Sequence, residues 1–301
     1  MTNEDYIAFI VIEVAIALMS CLGNLLVIAT ILVNNLLRES IFIFIISLAV
    51  ADFAVGVFVI PICIISSFEP EIHFYICLFI SCIILIITQS SILSLLAIAF
   101  DRYLRVKIPT KYKIIVTQRR AVIIAIVCWL ISTVLGIIPM LGWNNKTSPG
   151  NETTALNSTC IKCTFMSVMS ISYMVYLNFF GWVLTPLLLM IYLYGTIFYK
   201  IRKHLNQNTV NSTQSVRHYQ KEHKVAKSLS LILFLFAVCW LPLHIINCIL
   251  FFSPHTEVPE IAIYIGIILT HGNSVVNPIV YAFKIKKFRE TYVQLWNKCF
   301  R

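Results

Sequence analysis

A short set of polar residues stands inside long apolar runs: Glu13, Asn24, Asp52, Thr88, Gln89, Ser91, the Asp101–Arg102 pair, Asn178, His244, Asn247, Thr270, His271, Asn273 and Asn277. In hydrocarbon each is costly without a partner. A Ser, Thr or Asn there often does no more than tie two helices together, at about 0.6 kcal/mol. That account does not suffice for Asp52, a carboxylate near mid-membrane, which must be protonated or meet a cation. The chemistry on offer is hydrogen bonding and charge pairing. Neither His-Glu-x-x-His nor Gly-x-Ser-x-Gly occurs, which argues against a membrane hydrolase.

The elements that position these groups follow from composition. The chain has 301 residues, 59% hydrophobic and only 12% charged. A soluble domain carries about 25% charged residues, so this chain has too little polar surface to cover a globule, and disorder is excluded for the same reason. Charge-free stretches recur seven times, each long enough for a helix through ~30 Å of hydrocarbon. A β-barrel would instead show ~10-residue alternating segments. The expectation is one all-α domain over 1–301, with helices at 6–33, 41–66, 73–106, 119–141, 171–203, 222–252 and 260–282. A short amphipathic helix at 285–297 would lie on the inner leaflet, with Phe283, Ile285, Phe288, Tyr292, Leu295 and Trp296 against a basic face. No internal repeat or broken helix of a transporter is visible.

The net charge is +10. With the N-terminus outside, all of the 23 basic residues except Lys146 and Lys162 fall on the inner side. This positive-inside pattern sets a multi-pass topology with the C-terminus cytoplasmic. It accounts for the basic charge by the anionic lipid of the inner leaflet, without nucleic acid. Met1–Asp5 lacks a basic n-region, so the first span itself is expected to direct insertion. Three sequons, at Asn145, Asn151 and Asn157, share the second outer loop and are candidate glycosylation sites. Cys77 faces the oxidising side, as do Cys160 and Cys163; Cys77–Cys163 is the preferred disulfide. Cys299, at the inner membrane edge, is a candidate for palmitoylation.

An ordered set of motifs runs through the seven spans. It comprises Gly23-Asn24-Leu-Leu-Val, Ser47-Leu-Ala-Val-Ala-Asp52, Asp101-Arg102-Tyr103, Trp129, Pro186, Cys239-Trp240-Leu-Pro242 and Asn277-Pro278-Ile-Val-Tyr281. This set resembles the rhodopsin-like G-protein-coupled receptors over essentially the whole chain. Pro139-Met-Leu-Gly-Trp143, Tyr173-Met-Val-Tyr176, the 241–248 stretch Leu-Pro-Leu-His-Ile-Ile-Asn-Cys and the 270–278 stretch Thr-His-Gly-Asn-Ser-Val-Val-Asn-Pro resemble the adenosine receptors. The 284–292 segment and Met166 look most like subtype three, whereas His244 and Thr270 look like subtype one.

The resemblance implies a plasma-membrane receptor for adenosine or a related purine nucleoside, not an enzyme. It would act through an inhibitory heterotrimeric G protein to lower cyclic AMP, with arrestin as a further partner. An Asn amide matches the acceptor and donor of an adenine edge, which gives Asn247 its role. Phe165 would stack on the purine. Leu85, Met174, Leu243, Ile267 and Trp240 would form walls, with His244 near the base. Thr88, Thr270 and His271 would meet the ribose, with Glu13 holding the His271 ring. No cofactor is implied beyond an allosteric sodium ion held by Asp52, Ser91, Trp240, Asn273 and Asn277. Ile92, Pro186 and Phe236 match a packing switch. Asp101, Arg102, Tyr103, Glu222, Tyr194 and Tyr281 match the inner G-protein latch. A receptor of this fold for another small ligand, and a nucleoside transporter, are the rival readings.

Overall fold

Without water to hydrogen-bond it, a backbone in lipid must satisfy its own donors and acceptors, which selects helices for runs as apolar as these. The computed structural model describes residues 3–146, 160–207, 213–284 and 286–299, with side chains left undescribed at 3, 204–207, 213–222, 224–225, 284, 286–287 and 295–299. Seven helices are long and apolar enough to cross a membrane: Glu4–Val33, Ser40–Ser66, Phe74–Lys107, Gln118–Leu141, Tyr173–Lys203, Ala226–Phe252 and Glu260–Phe283. They are called spans one to seven below. Span six continues an inner helix that starts at Thr213, nine residues before the apolar run suggested.

Span three is the central post, touching spans two, four, five and six. Its inward face is buried for most of its length, from Cys77 through Leu85 and Ile92 to Val106. Span four turns most of its surface outward, with Ile123, Ile126, Leu130 and Val134 exposed to the lipid. Such exposed apolar groups are stable in hydrocarbon, so the usual inside-out rule of soluble proteins does not hold on this surface.

Two spans depart from regular α geometry where the sequence carries no obvious signal. Val55–Val59 forms a π turn in span two, just before Pro61. Tyr173–Leu184 is wound as a π-helix at the outer half of span five. An extra residue per turn rotates the side chains that follow, and both segments face the same cavity. Pro242 and Pro278 sit inside spans six and seven, where each removes one ladder hydrogen bond and invites a bend.

Close helix crossings use small residues. A Cβ on Gly23 would come within 2.9 Å of Pro278 Cβ, so only glycine lets spans one and seven meet there. Asn24, one residue on, donates to the Ser20 and Ser274 carbonyls at 2.9 and 3.0 Å, tying the same crossing. At Gly136 a Cβ would collide with the Ile86 side chain and press on the span-three backbone.

On the outer side, Glu71–His73 pairs antiparallel with Cys160–Lys162, Ile72 opposite Ile161. The Cys77–Cys163 disulfide fastens this ribbon to span three. Cys160 is left free and exposed. On the inner side, Lys286–Cys299 forms a further helix. Phe288 is fully buried between Tyr281 and Phe42. Thr291 is buried too, and its hydroxyl accepts a 2.9 Å bond from the Asn34 amide of span one. Phe283, expected on the same apolar face, is instead 77% exposed at the end of span seven.

Replacing Gly136 by Val should force spans three and four apart. Overpacking of this kind costs about 1–3 kcal/mol, read as a lower melting midpoint of the purified protein in detergent.

Candidate functional site

A cavity of about 200 Å³ opens toward the outer face between spans two, three, five, six and seven. Its size suits a small molecule rather than a peptide. Span three contributes Leu85 and Thr88, span five Met174, span six Trp240, Leu243, His244 and Asn247, and span seven Ile267, Thr270 and His271. Phe165 and Met166 reach the mouth from a short helix, Phe165–Val168, whose start is capped reciprocally by Thr164 and Ser167. That helix begins two residues after Cys163, so the disulfide fixes it over the opening.

Polar groups on the wall are spaced for recognition. His244 is buried, stacked between Phe179 at 5.1 Å and Trp240 at 5.8 Å. Neither of its ring nitrogens has a hydrogen-bond partner among the described residues. A buried polar atom left unpaired costs ~1–3 kcal/mol, so this ring is poised to gain from a polar guest. His271 Nδ1 lies 2.8 Å from Glu13 Oε2. Glu13 is fully buried and stands behind the cavity wall rather than in it. The contact orients the imidazole, and His271 lines the cavity.

The floor of the cavity runs into a second polar cluster, since Ser91, Trp240 and Asn273 line it as well. Asp52, completely buried, accepts from Ser91 at 2.9 Å and from Asn277 at 2.7 Å. The side-chain oxygens of Asn24 and Asn277 are buried without hydrogen-bond partners among the described residues. A carboxylate, a hydroxyl and unpaired amide oxygens are the donor set that a hard cation takes. These residues therefore fit a sodium ion chemically.

Below the floor, Phe236 stacks on Trp240 at 5.7 Å. Ile92 and Phe236 share one buried cluster, and Pro186 of span five is buried too. At the inner end, Arg102 pairs with Asp101 at 3.3 Å. Asp101 also accepts from Ser40 and from Tyr112, both at 2.7 Å. Tyr112 lies in the inner loop, and burial, followed by the Asp101 charge, pushes its hydroxyl up to about 12. It therefore stays neutral and keeps donating at physiological pH. Tyr194 and Tyr281 are buried in the inner half of the bundle. Tyr103 is flanked by Lys107 and Lys200 at 5.2 and 5.8 Å from its ring. The Glu222 and Cys299 side chains, and Asn151 and Asn157, lie outside the described residues.

One expected modification meets a geometric obstacle. The Asn145 amide donates to the Met166 and Met169 carbonyls at 3.0 and 2.8 Å. A glycan would take this same nitrogen and one of its two hydrogens. In this structure Asn145 ties the outer loop to the backbone at the cavity mouth.

Several lining residues were not singled out as site residues. Asn178 is bonded to Gln89 across spans five and three and lines the cavity. Val59, Cys63, Ser66, Ser81 and Ile263 line it too. Val55, Val59, Cys63 and Ser66 recur at helical spacing, which was a usable signal. The π turn then decides where that stripe points.

Residues 23–281 match the family described as 7 transmembrane receptor (rhodopsin family). Among curated proteins, the chain is 50% identical over 293 residues to adenosine receptor A3 of Ovis aries and to that of Bos taurus. Each alignment covers 97% of this chain and 90% of the relative. The Canis lupus familiaris adenosine receptor A3 is 50% identical over 290 residues, covering 96% and 91%.

The peptide that contains Asn145 should emerge unmodified from glycopeptide mass spectrometry of protein made in mammalian cells. Asn145→Ala should loosen the mouth and lower the affinity of any cavity ligand, by severalfold if both bonds are lost.

Proposed function

The chain belongs to the rhodopsin-family seven-transmembrane receptors, in the adenosine receptor branch, and from that premise we infer that adenosine activates it in the cavity described above. It is a receptor, not an enzyme. The observation that carries the reading is the cavity lining. Residues from four spans and the outer loop, each suited to one part of a purine nucleoside, surround a single space.

Asn247 presents an amide to the base edge, matching its acceptor and donor together. Phe165 offers a face for stacking, worth ~1–3 kcal/mol per base. Leu85, Met174, Leu243 and Ile267 exclude water around the purine, and His244 supplies a further polar contact. Thr88, Thr270 and His271 take the ribose hydroxyls, with Glu13 fixing the His271 ring. Met166, 45% exposed at the mouth, supplies no carboxylate for the exocyclic amine. Bulky N6 substituents are therefore accommodated there.

Ligand binding reaches the inner face as a population shift. Agonist favours the open state only through its differential affinity for it. The Trp240 ring bridges the two ends of this logic, with His244 above and Phe236 below. A sodium ion held at Asp52, Ser91, Asn273 and Asn277 would supply positive charge to the buried carboxylate. In the closed state Arg102 is held by Asp101, itself anchored by Ser40 and Tyr112. Tyr194 and Tyr281 take over Arg102 when span six swings out, and a G-protein helix enters the cleft as a helix in a groove.

The G protein is of the inhibitory class, and the N-terminus faces outward at the plasma membrane. Asn151 and Asn157 are the glycan sites retained in this reading, and Cys299 carries a palmitoyl chain. Arrestin engagement draws on Thr209, Ser212, Thr213 or Ser215 of the third inner loop, all outside the described side chains.

In cells lacking other adenosine receptors, adenosine should lower cyclic AMP through the wild type. Asn247→Ala should shift the half-maximal dose about five- to 150-fold upward, the loss of a bidentate contact worth ~1–3 kcal/mol. An inert wild type would sink the ligand assignment. Asp52→Asn should abolish the effect of sodium on agonist affinity, measured by radioligand competition with and without the ion. Met166→Glu should reduce the affinity of an N6-benzyl analogue relative to adenosine.

A further inference from the structure

The outer ribbon carries a thiol that the rest of the fold does not use. Cys160 is free and exposed, while Cys163, three positions on, takes the disulfide to Cys77. Cys160 does not line the nucleoside cavity. An odd thiol on an oxidising side calls for a partner.

The strand register decides what stands opposite. It sets Glu71 against Lys162, Ile72 against Ile161 and His73 against Cys160. Successive side chains of a strand point to opposite faces. Ile72 and Ile161 pack on the buried cluster that holds Cys77 and Cys163, so Glu71, His73, Cys160 and Lys162 share the other face. Residues directly opposite in an antiparallel pair have Cβ atoms ~4.5–5.5 Å apart. One metal ion spans such a gap, at about 2.3 Å from a thiolate sulfur and ~2.0 Å from an imidazole nitrogen.

Orientation and charge also suit a cation. The His73 ring stacks on Tyr75 at 5.8 Å, and its Nδ1 accepts from the Tyr75 backbone N–H at 3.2 Å, capping span three. A metal on Nε2 requires the proton on Nδ1, so binding exchanges that exposed cap for a metal bond. Lys162, across from Glu71, turns to Glu69 at 3.1 Å. Lys146, the other cation on this side, donates to the Tyr75 hydroxyl at 2.8 Å. A Cys160 thiolate and the exposed Glu71 carboxylate together match the charge of a divalent ion.

We propose that His73 and Cys160 bind a thiophilic divalent ion across the outer ribbon. A thiolate and an imidazole select Zn²⁺ over the hard cations Mg²⁺ and Ca²⁺. Water fills the remaining positions, and Glu71 supplies charge beside them. On binding, the Cys160 S–H proton passes to solvent, an S–Zn bond forms and one metal-bound water leaves. The ion clips the two strands a second time, next to the disulfide. The inference does not depend on the nucleoside reading.

The test uses the full chain made in mammalian cells, purified in detergent and stripped of metal, with zinc chloride as probe and magnesium chloride for comparison. Zn²⁺ should slow maleimide labelling of Cys160, located by peptide mass spectrometry, and raise the melting midpoint by mass action. Mg²⁺ should do neither. Isothermal titration calorimetry should show Zn²⁺ affinity about tenfold weaker or more in Cys160→Ser and in His73→Asn, since even an outer-shell partner of a metal site is worth ~10–100-fold. Asparagine is itself a good helix cap, so His73→Asn keeps the start of span three. His255→Asn alters an exposed histidine of another outer loop and should leave Zn²⁺ affinity unchanged. Equal affinity in the wild type, Cys160→Ser and His73→Asn overturns the site. So does an equal loss in His255→Asn, or a Cys160 that emerges from the cells already blocked in a disulfide.

Discussion

The fold rests on one constraint: polar groups in hydrocarbon must find partners within the protein, because no solvent is there to replace them. The backbone meets it by helix formation. The side chains meet it by a ladder of buried contacts down the bundle. Glu13 meets His271 near the outer end, Asp52 meets Ser91 and Asn277 at the middle, and Asp101 gathers Ser40, Tyr112 and Arg102 at the inner end. Each rung joins helices far apart in sequence. The rungs therefore specify which faces of the seven helices meet, which apolar packing against lipid-like neighbours would leave loosely determined.

The same rungs are where the proposed function concentrates, and the reason is energetic. A well-packed apolar contact has one good arrangement, whereas a carboxylate or an imidazole can exchange one partner for another. The middle rung and the ligand cavity share Ser91, Trp240 and Asn273. The stacked column of Phe179, His244, Trp240 and Phe236 runs from the cavity wall into the core beside Ile92. A guest that presses on His244 thus acts on a contiguous set of rings. That continuity is spatial, and coupling along it is a matter of two discrete packings that the guest must distinguish.

The outer and inner surfaces solve different problems. Outside, the ribbon, the disulfide and the Asn145 bonds stiffen the loop that carries Phe165 and Met166, so the mouth is shaped before a ligand arrives and less ordering is needed on binding. Inside, the helix of Lys286–Cys299 is pinned by Phe288 and by the Asn34–Thr291 bond. The pin consumes the one hydroxyl of that helix other than Tyr292.

Much of this was legible in the residues. Scarcity of charge identified seven spans, since hydrocarbon thickness sets a minimum length for an apolar helix. The position of the basic residues gave an expected orientation, and motif order picked out Asp52, Arg102, Trp240, Asn247 and His271 as functional candidates. What the chain order could not convey was convergence. The π turn at Val55–Val59 and the π-wound start of span five rotate their lining residues into the cavity, and such windings follow from packing rather than from local propensity. Asn145 reads as a glycan acceptor in a Asn-Lys-Thr triplet, yet its amide is spent on backbone carbonyls more than twenty positions away. Local sequence determined which segments enter the membrane and which groups must be buried; tertiary structure alone decided which of those groups face one another, because that depends on distances no spacing along the chain contains.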